Sequence, residues 1–552
     1  MRSGGPTVAA AVGAALVRAG IDSVFGVVGS GNFDVTNAMV AAGARYVAAR
    51  HEMGAATMAD AYARMSPAGV AAVTLHQGCG LTNALTGITE AAKSRTPLVV
   101  VTAEATQPRS NFFVDQPALA GAVGAVSMRV TSAGEASRQA ADAVATAVQQ
   151  RRTVVLNLPL DVQSLPAAAP MAPASVVRPL PLPPAAPAPG DVERLAVALR
   201  TARRPVFVAG RGARGPGCRA ALEQLADRCG ALLATSAVAK GLFAGNPWSL
   251  DVSGGFASPL AAELIGGADL VVGWGCALNM WTMRHGRLIA DGATVVQVEL
   301  DAEALGAHRE LTFGVRGDVR AVAEALAVES ADQPGYRSTQ LRDRIAAEVR
   351  WRDVPYESAS EPGRIDPRDL TIALDDLLPA ERIVSVDSGN FMGYPSMFLG
   401  VPDEFGFCFT QAFQSVGLGL ATAIGAAIAR PDRLPVAALG DGGLLMGAAE
   451  LETVVRLGLP MVLVVYDDEA YGAEVHHFGP GGAPLDTVRF PERDLAAIAH
   501  GYGMEALVVR AVDDLAPVTS WVDGPRAAPL LIDAKVTRGE PSWWLEEAFR
   551  GH

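Results

Sequence analysis

Short, uninterrupted apolar runs rich in Val, Leu and Ile recur along this chain, each followed by a longer Ala- and Leu-rich stretch of helical periodicity. The first group is Val24–Val28, Val70–Leu75, Leu98–Thr102 and Thr153–Leu158; the second is Val206–Ala209, Leu270–Gly273 and Thr294–Val298. The third is Ile383–Val386, Val436–Leu439, Met461–Tyr466 and Leu530–Ile532. A strand apolar on both sides must be covered on both faces, and with helices between the strands that means parallel sheets. Between the first two groups, Pro166–Gly190 reads PAAAPMAPASVVRPLPLPPAAPAPG, which sustains neither helix nor sheet ladder. The expectation is α/β, with three doubly wound parallel-sheet domains at 1–165, 191–355 and 366–552, and a proline-rich linker over 166–190.

Half of the 552 residues are hydrophobic, enough for three cores of ordinary size. A net charge of −13 argues against a general nucleic-acid binder, which needs a basic surface. The five cysteines are scattered without a CxxC pair, a pattern of reduced thiols in a cytoplasmic protein. Val8–Val17 is apolar after Arg2, yet Thr7 is a good N-cap and Gly20 a good stop, so a first helix is expected rather than an export signal. No apolar run free of Gly and charge is long enough to span a membrane.

In a doubly wound sheet, ligands bind at the carboxyl ends of the strands. The run Val436–Leu439 ends there in Gly440-Asp441-Gly442-Gly443, followed by an expected helix that holds Glu450, Leu451 and Glu452. Glycines at a strand end let backbone amides approach phosphate oxygens, and an aspartate there can hold a hard cation. The next run ends in Asp467-Asp468-Glu469-Ala470-Tyr471-Gly472, with Asp468 27 residues after Asp441. Adjacent parallel strands would set Asp441 and Asp468 side by side to share one Mg²⁺, with the backbone carbonyl of Ala470 nearby.

Gly440-Asp441-Gly442, the step to Asp468 and the closing Tyr471-Gly472 resemble the diphosphate–Mg²⁺ motif of thiamine-diphosphate enzymes. Further blocks fit the same family: Arg50-His51-Glu52-Met53-Gly54-Ala55-Ala56, Met58–Arg64, Thr82-Asn83-x-x-Thr86-Gly87 and Thr96-Pro97-Leu98. The order of pyrimidine-binding, central Rossmann-like and diphosphate-binding domains is that of acetolactate synthase, pyruvate decarboxylase and benzoylformate decarboxylase. The resemblance implies Glu52 as the carboxylate that protonates the cofactor's pyrimidine, and Val416 as the apolar wedge beneath it. Gln414, Asn390, Phe391, Gly440, Gly442, Gly443, Tyr471 and Gly472 follow as further cofactor contacts. Asp441, Asp468 and Ala470 follow as the metal ligands.

For the reacting end, Leu75-His76-Gln77-Gly78 and Gly29-Ser30 are similar to active-site blocks of benzoylformate decarboxylase, implying Ser30 and His76 as catalytic. Ala473-Glu474 matches the position of a catalytic glutamate in pyruvate decarboxylase, and Gln77, Trp281 and Ala473 are expected at the substrate pocket. Two departures stand out. Asp467-Asp468 replaces the family's usual Asn-Asn, and Phe112-Phe113-Val114-Asp115 does not reproduce the Phe-Gln-Glu stretch of acetolactate synthases. Gly210–Gly215 contains GxGxxG after a strand, but the acidic residue nearest the expected ribose position, Asp227, lies within a helical pattern. An acetolactate-synthase-like ligase with FAD in the central domain is therefore an alternative that is not favoured, as is a non-enzymatic nucleotide-binding protein. The implied activity is decarboxylation of a 2-oxo acid to an enamine that yields an aldehyde or, with an aldehyde or ketone acceptor, a 2-hydroxyketone. The implied assembly is a homodimer or homotetramer with each site between subunits.

Overall fold

The computed structural model of the chain describes residues 6–167, 186–329 and 332–548. Most of the expected linker, residues 168–185, lies outside the described residues. Its last residues already belong to a helix, Pro189–Thr201, which proline can open because the first-turn amide needs no partner.

Among the described residues, eighteen strands form three six-stranded sheets, parallel throughout. The first holds β1 (Ser23–Gly26), β2 (Arg45–Ala48), β3 (Ala71–Leu75), β4 (Leu98–Glu104), β5 (Val126–Arg129) and β6 (Thr153–Pro159), in the order β2-β1-β3-β4-β6-β5. The second holds β7 (Pro205–Ala209), β8 (Leu232–Thr235), β9 (Ser249–Val252), β10 (Leu270–Trp274), β11 (Thr294–Glu299) and β12 (Phe313–Arg316), in the order β12-β11-β10-β7-β8-β9. The third holds β13 (Arg382–Val386), β14 (Phe407–Phe409), β15 (Leu434–Gly440), β16 (Val462–Asp467), β17 (Glu505–Val509) and β18 (Leu530–Lys535), in the order β14-β13-β15-β16-β18-β17. Every apolar run named from the sequence overlaps one of these strands, although Val27 and Val28 lie past the end of β1. The strands without such a run are mainly at or near sheet edges: β5, for example, alternates half-buried and exposed residues, so its hydrophobic signal is diluted.

The apolar segment after Thr7 is the helix Val8–Arg18, capped by the Thr7 hydroxyl, which accepts the Ala10 amide at 3.3 Å. Among the described residues, no helix is long and apolar enough to cross a membrane.

The first and third sheets are joined through two helices, Glu52–Met65 and Gly419–Ala429, which share one core. Their approach is close enough that a Cβ on Gly425 would stand 2.1 Å from the Met58 carbonyl oxygen, so only glycine fits. A buried polar network locks the same seam. Arg64 binds Asp60 at 2.6 Å, Glu90 at 2.9 Å and the Phe409 carbonyl at 3.0 Å. Glu90 in turn accepts the amides of Ala412 at 3.1 Å and Phe413 at 2.7 Å. Burial works against charging these groups, but the Arg64 guanidinium and the two amides together hold the Glu90 carboxyl below its ordinary range. The first domain thereby fixes the chain just before Gln414–Val416.

Candidate functional site

The sheet order β13-β15-β16 brings three strand ends together, with Gly440 in register with Tyr466. A cavity of about 460 Å³ opens at these ends. Its walls include Asn390, Phe391, Gln414, Val416, Gly440, Asp441, Gly442, Gly443, Asp468, Ala470, Tyr471, Gly472, Ala473 and Glu474, all singled out from the sequence, with Trp281 reaching in from the second sheet's domain.

The glycines are there because side chains have no room. A Cβ on Gly440 would lie 3.1 Å from the Phe391 ring, one on Gly442 2.9 Å from the Tyr471 ring, and one on Gly443 2.3 Å from Asp387 Oδ2. A Cβ on Gly472 would lie 2.2 Å from Asp468 Oδ2. Asp441 opens the helix Asp441–Met446, while Asp468 Oδ1 accepts the Ala470 amide at 3.1 Å. Burial, then the negative charges of Asp468 and Asp467, push the Asp441 carboxyl up to about 8. Burial is also the main cause that pushes Asp468 up to about 7, Asp467 adding to it. Two crowded carboxyls held this far above their ordinary range form a site that a divalent cation would relieve. Two carboxylates, a nearby backbone carbonyl and a glycine-lined lip open to phosphate oxygens match how Mg²⁺ is held with a diphosphate. The residues present fit both groups.

The helix expected to hold Glu450, Leu451 and Glu452 is present, as a short turn at Ala448–Glu450 running into Leu451–Arg456, after a first helical segment, Asp441–Met446, that ends at Gly447. Glu450 accepts the amides of Arg50 and His51, both at 3.0 Å, so this carboxylate anchors the start of the helix that carries Glu52.

Ser30, Glu52, His76 and Gln77 do not line the cavity. Glu52 is the first residue of its helix, with His51 as N-cap, and Asn83 Nδ2 donates to Glu52 Oε2 at 3.1 Å. Ser30 Oγ lies 3.4 Å from His76 Nε2 at the carboxyl ends of β1 and β3, with Phe112 edge-on to the His76 ring at 5.1 Å. Gln77 is turned inward and buried, its amide oxygen packed where Gly31 leaves space. Within one chain, then, the sequence-expected residues fall into two groups, one at each of two sheets.

Among the residues that shape the cavity without having been singled out from the sequence, Asp387 and Trp544 hold its loops in place. Asp387, just past β13, accepts the Gly417 amide at 3.0 Å on both oxygens and so holds the Gln414–Gly417 loop; burial pushes its carboxyl up to about 6. An acid at the carboxyl end of an apolar strand, before Ser388-Gly389, was the available signal. Trp544 lines the cavity and donates from Nε1 to the Asn390 carbonyl at 2.9 Å, while Asn390 Oδ1 accepts the Ser542 amide at 3.0 Å. Nothing local in sequence links residue 544 to residue 390. In the central domain the Gly210–Gly215 loop is packed against the end of β10. Gly210 N–H donates to the Trp274 carbonyl at 2.9 Å and Gly212 N–H to the Gly275 carbonyl at 3.0 Å, so these glycines allow the loop to pack closely on this strand end.

This architecture and site are those of an α/β enzyme that binds a diphosphate cofactor between strand ends. Family models described as thiamine pyrophosphate enzyme match three stretches: the N-terminal TPP binding domain at 6–127, the central domain at 192–326 and the C-terminal TPP binding domain at 387–534. A "Probable 2-ketoarginine decarboxylase" of Pseudomonas aeruginosa is 30% identical, over 91% of this chain and 90% of that protein. A sulfoacetaldehyde acetyltransferase of Alcaligenes xylosoxydans xylosoxydans is 28% identical, over 91% and 88%. The fold is shared with the Rhodococcus jostii RHA1 thiamine diphosphate-dependent 4-hydroxybenzoylformate decarboxylase, at a TM-score of 0.80 and 23% identity, over 97% of this chain and 100% of that one. The chain belongs to the thiamine-diphosphate-dependent enzymes, and thiamine diphosphate is its cofactor. Family membership sets aside the reading as a non-enzymatic nucleotide-binding protein.

Proposed function

We propose that this enzyme uses thiamine diphosphate and Mg²⁺ to remove CO₂ from a 2-oxo acid, and then releases an aldehyde or joins the remainder to an aldehyde or ketone acceptor. The observation that carries the reading is the Asp441–Asp468 pair, two buried carboxyls raised toward neutrality in a glycine-lined cavity at adjoining strand ends. Asp441, Asp468 and the Ala470 carbonyl would hold the metal, and the amides of Gly440, Gly442 and Gly443 would meet the diphosphate. Val416 would support the cofactor from below, with Gln414 at its pyrimidine edge. Thiamine diphosphate bound there supplies an electron sink for the pair left behind as CO₂ departs.

Glu52 is the residue to hold a proton at N1′ of the pyrimidine, and Asn83 fixes the orientation of its carboxyl. Because Glu52, Ser30 and His76 do not line the cavity of their own chain, the reading takes them from a second copy, in a homodimer or homotetramer. Ser30 and His76 would orient the carboxylate of the 2-oxo acid. Glu474, in the first turn of helix Gly472–Phe478, would deliver a proton to the carbon that lost CO₂, while Trp281 and Ala473 narrow the space for the substrate. The test is incubation with thiamine diphosphate, Mg²⁺ and a panel of 2-oxo acids, following CO₂, aldehydes and hydroxyketones by mass spectrometry. Cofactor-dependent CO₂ release from at least one acid is expected. Acyl transfer without CO₂ release from any acid would contradict the reading.

A further inference from the structure

Beside the cation site, three charged side chains are buried together with no part in the chemistry above. Lys535 on β18 is in register with Asp467 on β16, and its Nζ lies 2.5 Å from Asp467 Oδ2, 3.0 Å from Asp533 Oδ2 and 2.9 Å from the Arg493 carbonyl. All three are essentially inaccessible, at 1%, 1% and 0% exposure for Lys535, Asp467 and Asp533. Asp467 also lines, with Asp441, a second cavity of about 350 Å³. Its free oxygen, Oδ1, accepts the Glu469 amide at 3.1 Å. That bond shapes the turn in which Glu469 takes a φ of +56° and the Asp468 carboxylate and Ala470 are presented to the cavity. The outer side of the turn is held by Glu469, which binds Arg364 at 2.7 Å and also Arg538.

We propose that Lys535 is a positioning residue for the divalent cation: it cancels the charge of Asp467 beside Asp441 and Asp468, and it holds Asp467 where it caps the Glu469 amide. The inference rests on the reading of Asp441 and Asp468 as cation ligands. Without Lys535, Asp467 and Asp533 are left buried beside each other with no counter-charge, a strongly unfavourable arrangement that is relieved by uptake of a proton or by displacement of a carboxylate, and either disturbs the turn that presents Asp468. An asparagine at 467 needs no counter-charge and can still accept the Glu469 amide through its side-chain oxygen.

The probe is Mn²⁺, titrated with thiamine diphosphate present and read by electron paramagnetic resonance, so that no turnover is needed. Lys535→Met should weaken Mn²⁺ about tenfold, the scale of one coupled pair. Asp467→Asn should bind within about threefold of the parent, and Asp467→Asn with Lys535→Met should recover most of the loss. A Lys535 that only stabilises the fold would lower the apoprotein melting temperature and leave the Mn²⁺ titration unchanged, which would overturn the proposal. If Lys535→Met does not fold, the double variant is compared with Asp467→Asn alone: equal Mn²⁺ binding supports the proposal, and a tenfold loss overturns it. Asp441→Asn is the control for the underlying reading. Parent-like Mn²⁺ binding in that variant would remove the cation site itself, whatever Lys535 does.

Discussion

Gly472→Ala separates the cation site from the fold with a single methyl group. The added Cβ would stand 2.2 Å from Asp468 Oδ2 and 3.2 Å from Asn390 Cβ, and the first distance is shorter than any real contact. Backbone strain is not the issue, because Gly472 does not have a positive φ and opens a helix, where alanine is favoured by about 0.5–1 kcal/mol. The carboxylate of Asp468 must therefore swing away, and its hydrogen bond from the Ala470 amide goes with it. A bond of that charge-assisted kind contributes about 1.5–3 kcal/mol when made, and rehydration of the moved carboxylate at the cavity returns part of it. Helix gain and bond loss nearly offset, so the apoprotein melting temperature should move by only a few degrees. The cation loses a ligand outright, so Mn²⁺ affinity with thiamine diphosphate present should fall by at least about tenfold, or 1.4 kcal/mol. Calorimetry on the apoprotein and Mn²⁺ titration together make the assay. Undiminished Mn²⁺ affinity would refute the placement of Asp468 as a ligand.

Asp441 and Asp468 also set a pH dependence. Their folded pKa values, about 8 and about 7, lie above the unfolded carboxylate value of 3.8, so between these limits the folded apoprotein binds protons that the unfolded chain has lost. Apoprotein stability should then fall as pH rises from about 4 to about 8, while Mg²⁺, which must displace those protons, should bind more tightly over the same rise. Melting curves from pH 5 to 9 with and without Mg²⁺ read both trends, and a metal-induced shift that shrinks with rising pH would contradict them. Gly425→Ala drives a methyl into the Met58 carbonyl at 2.1 Å and should cost about 1–3 kcal/mol by denaturant unfolding; a neutral result would show that the two helices separate freely. Glu474→Gln should bind cofactor normally but release aldehyde about two to four orders of magnitude more slowly, with hydroxyketone formation retained. Parent rates for both products would leave Glu474 as an ordinary helix residue.

The centres of the sheets were legible because their strands are apolar on both faces, and the strand ends followed from the topology rule for parallel sheets. β2, β5 and β17 were not, since their half-exposed residues mix polar and apolar types as any loop does. At the site, the glycines and acids at 440–443 and 467–472 could be read because they are contiguous and follow apolar strands. Asp387 carried a local signal, an acid at the end of an apolar strand, but its partner Gly417 did not; Trp544 and Lys535 act across long separations, through a loop contact and a cross-strand register that no local pattern encodes. Glu450 was read only as a helix residue; in the fold it also anchors the Arg50 and His51 amides, about 400 residues away in the chain.

The division of the site between two chains is tested by co-expressing two defective variants, Glu52→Gln and Asp441→Ala. Neither homodimer should exchange the C2 proton of thiamine diphosphate with D₂O, the first for want of the proton partner and the second for want of bound cofactor. In a hybrid dimer, one site takes Glu52 from one chain and Asp441 from the other and is intact, so random pairing restores exchange at about a quarter of all sites. Quenched-flow NMR of the cofactor reads this without knowledge of the substrate. Exchange at about a quarter of the parent amplitude is the predicted result, and no exchange in hybrids isolated by two affinity tags would contradict a site built from two copies of the chain.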